Sequence, residues 1–68
     1  METVEQRDKR RNDNLHSLTE IESAGNIIIK ISEREGTLFT KRGNTYTSYT
    51  MITRAGINYW KPVNAVER

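Results

Sequence analysis

Few side chains in this 68-residue chain can do chemistry, and their spacing decides which kinds are open to it. Nucleophilic catalysis requires a Ser, Thr or Cys activated by a base that a third group holds in place. The chain has no cysteine and a single histidine, His16, beside Ser17. With no orienting group in the pattern, His16 reads as a surface or helix-start residue. The carboxylate pairs Glu20/Glu22 and Glu33/Glu35 are two positions apart, as on a solvated face or turn. One histidine cannot assemble the four His or Cys ligands of a structural zinc site. There is no glycine-rich phosphate loop or dinucleotide fingerprint. The expectation is a protein that binds and does not catalyse, with no metal, cofactor or small-molecule substrate.

Cations interleaved with aromatics are the more suggestive pattern. From Asn26 onward seven basic residues meet three acidic ones, a local excess of +4, although the whole chain carries only +2. Basic side chains neutralise phosphates, and aromatics displayed on a sheet stack bases. The candidate nucleic-acid contacts are therefore Lys41, Arg42, Asn44, Tyr46, Tyr49, Arg54, Trp60 and Lys61. A plainer reading places Phe39 and Trp60 in the core and uses the cations to guard strand edges against aggregation. A different class also fits: an interaction module, such as an inhibitor or adaptor of the kind mobile elements encode. It would dock on a host protein through a strand edge or an apolar sheet face carrying Ile28, Phe39, Tyr46 and Ile52.

These residues need elements to position them. Residues 2–14 carry four basic and four acidic side chains and one large aliphatic, Val4. A stretch that cannot bury itself is expected to be a disordered or frayed arm. Residues 15–25 predict a short helix: Ser17 and Glu20 form an S-x-x-E capping box, Gly25 supplies the stop, and Leu15, Leu18, Ile21 and Ala24 make one apolar stripe. Beyond Asn26 the pattern is β, with four isoleucines between positions 27 and 31 and six threonines between 37 and 53. Glu35-Gly36 and Gly43-Asn44 read as hairpin turns. Strands are expected near 26–33, 37–42, 45–53 and 57–61. Period-two alternation assigns Ile27, Ile29 and Ile31 to the helix-facing side. On the third strand Tyr49 and Met51 oppose Tyr46 and Ile52, so neither face is cleanly polar.

The phrase TKRGNTYTSYTMITRAGINYW, about a third of the chain, looks like the wing and following helix of winged helix-turn-helix regulators. That resemblance implies Thr53 as an N-cap, a helix over 54–60, and Lys41, Arg42 and Asn44 at a DNA-touching wing tip.

The fold class expected is α+β: a short helix packed on a three- or four-stranded antiparallel meander, with a polar flexible N-terminal arm. Residues 1–14 form the arm, 15–62 the single domain and 63–68 a tail. A chain this short buries only about 60% of its unfolded surface, so support from a second copy or a target is expected. No run approaches the roughly 18 apolar residues that cross a bilayer, and the expected location is the cytoplasm. Nucleic acid is the favoured partner and a protein the alternative, and a homo-oligomer is expected with either.

Overall fold

The computed structural model describes residues 2–67. Two helices, α1 (Val4–Asn12) and α2 (Leu18–Ser23), precede four strands, β1 (Ile27–Ser32), β2 (Thr37–Arg42), β3 (Thr45–Arg54) and β4 (Ile57–Glu67). The strands form one antiparallel sheet in the order β1-β2-β3-β4, the expected α+β arrangement. Each connection is a local hairpin. Gly36 and Gly43 supply the positive φ that the first two turns need, at +71° and +58°.

Residues 4–12 form a helix where the composition suggested a disordered or frayed arm. The reason is a capping box. The Thr3 side chain accepts the Gln6 amide, and the Gln6 side chain accepts the Thr3 amide at 2.9 Å. Basic residues Lys9, Arg10 and Arg11 in the last turn also suit the helix dipole. α2 carries the second box, with Ser17 as N-cap and Glu20 at N3, and Gly25 follows its end at φ +92°.

Between the helices the chain pairs with the sheet. His16 and Trp60 exchange backbone hydrogen bonds of 2.9 and 2.8 Å, so the segment around His16 extends the sheet by one bridge at the free edge of β4. That is the place of the only histidine. It also carries the chain from one face of the sheet to the other. Arg10 of α1 lies over the Tyr59 ring, whereas Ile21 of α2 packs in the cluster that holds Trp60. Successive strand residues point to opposite faces, so α1 and α2 serve opposite sides.

The inner face, under α2, holds the core. Ile21, Leu38, Tyr49 and Trp60 form its buried cluster, with Leu18, Ile28 and Met51 packed against it. The register brings Leu38 opposite Tyr49 and Trp60 opposite Met51. Burying each such side chain contributes about 1.5–3 kcal/mol.

Two sequence expectations about this sheet are corrected. Ile27 pairs with Lys41 on the outer face and is 68% exposed, while Ile28, opposite Thr40, enters the core. Ile29 is the extra residue of a bulge and is 54% exposed; beyond it Lys30 pairs with Phe39 on the outer face, and Ile31 returns to the inner face opposite Leu38, where it is still 40% exposed. The second correction concerns 54–60, which are not helical. Arg54 ends β3, Ala55-Gly56 turns with φ +52° and +76°, and Ile57 begins β4. Two positive φ values in a two-residue loop make a type I′ hairpin. Thr53 is a strand residue whose hydroxyl donates to Asn58 Oδ1 at 2.8 Å, not an N-cap. β4 also runs to Glu67, past the boundary expected at residue 62; a bulge at Val63 takes up the register change beside Pro62.

Among the described residues no helix is long and apolar enough to cross a membrane.

Candidate nucleic-acid interface

The outer face of the sheet follows from the register. Cross-strand partners share a face, and three rows of them lie beyond the reach of α1. The first is Ile27, Lys41, Tyr46 and Val66; the second is Lys30, Phe39, Ser48 and Asn64; the third is Ser32, Thr37, Thr50 and Lys61. A fourth row, Ile52 with Tyr59, is where α1 lies. The three uncovered rows contain three lysines and no Asp or Glu. Phe39 is 39% exposed, Tyr46 is half-buried, and Lys30, Lys41 and Lys61 are exposed. The Lys41 ammonium lies 5.6 Å from the centroid of the Tyr46 ring, so a cation and an aromatic occupy one patch.

The structure separates the expected contacts into three groups. Lys41, Tyr46 and Lys61 lie on this open face, and Asn44 is exposed at the β2–β3 turn beside it. Arg42 is exposed next to the same turn but points to the inner side, opposite Thr45. Arg54 lies at the far end of β3, where its Nη1 donates to Asp13 Oδ2 at 2.6 Å. Tyr49 and Trp60 are core residues, 8 and 3% exposed, and offer no ring to a base. The expectation that they stack bases is corrected; they close the apolar side against α2. Of the alternative docking set, Phe39, Tyr46 and Ile52 share the outer face, but Ile28 belongs to the other.

Sequence reading did not single out Lys30, and named Phe39 only for the alternative docking set, although the structure brings both to this patch. The signal that joins them is the pairing of Lys30 with Phe39 beyond the β1 bulge, which strand alternation alone does not reveal.

Arg10 anchors the border of this face. It is 8% exposed, the one buried residue of α1. Its Nε and Nη2 donate to the Glu2 carboxylate at 2.8 and 3.1 Å, and Nη1 donates to the Leu15 carbonyl at 2.8 Å and pairs with Glu20. Its Cζ is 5.0 Å from the centroid of the Tyr59 ring. One guanidinium thus joins the N-terminal segment, the inter-helix loop, α2 and β4. Hydrogen bonding to Arg10 holds the Glu2 carboxyl below its ordinary range despite some desolvation. At Glu20 burial pushes the carboxyl up, but the Ser17 amide and Arg10 outweigh it and leave it lowered. The same contacts, led by Glu2, push Arg10 further up, so it stays charged.

No grouping of His, Cys, Asp and Glu among the described residues could hold a metal ion. Compared with known proteins, the chain matches no family model, no curated protein and no solved structure.

Proposed function

We propose that the protein is a non-enzymatic regulator that binds single-stranded nucleic acid on the outer face of its sheet. The observation that carries this reading is the collection of Lys30, Lys41 and Lys61 around Phe39 and Tyr46, without an acid, on an uncovered face. Lysines there neutralise phosphates, while the rings stack bases without regard to sequence. A single strand suits the surface, because exposed rings on a sheet face can stack only bases that are not already stacked in a duplex. Asn44 at the hairpin tip extends the track. The reading implies a cytoplasmic location.

A second reading uses the same face for a protein partner. Ile27, Val66 and Phe39 leave apolar surface in solvent, and β1 is an unpaired sheet edge to which a target strand or a second copy could add. Salt separates the two.

The test is fluorescence anisotropy of a labelled mixed-sequence oligonucleotide, single-stranded and duplex, at about 50 and 200 mM salt. Trp60 is too deeply buried to serve as the reporter. Three phosphate contacts predict single-strand affinity falling roughly twentyfold between those salts. No binding at the lower salt rejects nucleic acid as the ligand.

A further inference from the structure

Between α1 and the β3–β4 turn lies a cavity of about 440 Å³, within the roughly 300–1,000 Å³ typical of small-molecule clefts. Glu2, Gln6, Lys9 and Arg10 form one wall and Arg54, Ala55, Ile57 and Tyr59 the other. It opens on the outer side of the sheet, where Tyr59 pairs with Ile52, and is separate from the three lysine rows.

The polar groups of this lining divide by whether they are already engaged. Glu2 accepts from Arg10 twice and from the Tyr59 hydroxyl at 3.5 Å, and Arg10 is occupied by Glu2, Glu20 and the Leu15 carbonyl. Those groups hold the walls together. Lys9 has no ion pair among the described residues. The Gln6 oxygen accepts the Thr3 amide, which leaves its NH₂ group to donate. Arg54 uses part of its guanidinium on Asp13, and a guanidinium has five N–H donors. What remains open is donors and cations, which suits an anion. Beside them Ile57, 52% exposed, and the Ala55 methyl make an apolar wall.

Ala55 completes this wall at the turn. It occupies the left-handed region at φ +52° because the two-residue type I′ hairpin requires it. A methyl group here lines the cavity without filling it.

We propose that this cavity binds a nucleotide, with its phosphate on Lys9, Arg54 and the Gln6 amide and its base against Ile57 and Ala55. The phosphate monoester and base come from a free mononucleotide or from the terminal nucleotide of a strand lying on the neighbouring face. The site stands without the sheet-face reading, and only the second source builds on it.

The experiment titrates AMP, to about 5 mM, into the isotope-labelled full chain and follows backbone amides by NMR. Saturable shifts are expected at Gln6, Lys9 and Arg54 through Ile57, with adenosine weaker than AMP. Lys9→Glu, on the exposed surface of α1, weakens AMP by about tenfold or more, since it loses one charge-assisted contact and sets a like charge beside the phosphate, and preserves the remaining spectrum. A second arm compares an oligonucleotide bearing a 5′-phosphate with its 5′-hydroxyl form. Cavity shifts from AMP identify a free nucleotide, and cavity shifts only from the phosphorylated oligonucleotide identify a strand terminus. Absence of cavity shifts with both, or shifts indifferent to the phosphate and to Lys9→Glu, overturns the proposal. Shifts at Phe39 and Tyr46 report the sheet face separately, so either reading can fail alone.

Discussion

Leu38 and Phe39 are neighbours on β2, and the sheet sends them to opposite sides. Leu38 is fully buried against Tyr49 and α2, while Phe39 is 39% exposed between Lys30 and Ser48. The same contrast runs across β3 and β4, where Tyr49 and Trp60 are sealed, Tyr46 is half-buried on the outer face and Lys61 is exposed. A sheet this small has one covering helix for its core face and only the edge of a second helix on the other. Stability is therefore concentrated on one side of each strand, and the chemistry available to a partner on the other. Substitutions one residue apart should separate the two properties.

The largest effect is expected on the sealed side. Leu38→Ala removes a fully buried side chain and should cost about 2–5 kcal/mol. A chain of this length has roughly 3–10 kcal/mol in total, so urea denaturation should find the variant largely unfolded or close to it. Survival with an unchanged midpoint would break the comparison.

Arg10→Met comes next, at about 1.5–3 kcal/mol for the charged hydrogen bonds lost, with reduced helicity by circular dichroism as α1 detaches. The network has a pH signature as well. Glu2 and Glu20 have folded values below the ordinary 4.5. Their contribution is present above that value and is lost as pH falls through the lowered folded values. Acid unfolding should begin at higher pH in Glu20→Gln than in the parent. An identical acid profile would remove the network from the account.

On the outer side, Phe39→Ala with Tyr46→Ala should cost less stability than Leu38→Ala while weakening oligonucleotide binding by about tenfold or more, since each stacked base is worth roughly 1–3 kcal/mol. Lys41→Glu with Lys61→Glu should lower both the affinity and its salt dependence. The smallest effect is a gain. Ala55→Gly relieves the left-handed alanine and should raise stability by roughly 0.5–1 kcal/mol in thermal melts.

Much of this architecture was legible in local signals. The turns at Gly36 and Gly43, the Ser17/Glu20 box and the first three strands follow from residue types a few positions apart, whereas β4 was legible only in its first half and continues past Pro62 to Glu67. α1 carries the same kind of signal in Thr3 and Gln6, but its charged composition outweighed it, because the partners of Arg10 come from four separate places in the chain. The inward face of β1 was misread for another reason. Four nearly consecutive isoleucines give alternation no contrast, and both the register that turns Ile28 inward and the bulge that returns Ile31 to that side depend on the pairing with β2. Lys41, Lys61 and Tyr46 could be suspected from composition. Separating them from Tyr49 and Trp60 required knowing which side α2 covers.

The most direct measurement is the NMR spectrum of the aromatic rings during titration with a single-stranded oligonucleotide at low salt. The account predicts that the Phe39 and Tyr46 ring resonances move together to saturation while those of Tyr49 and Trp60 stay in place. Movement of Tyr49 and Trp60 instead, or of none of the four, would contradict it.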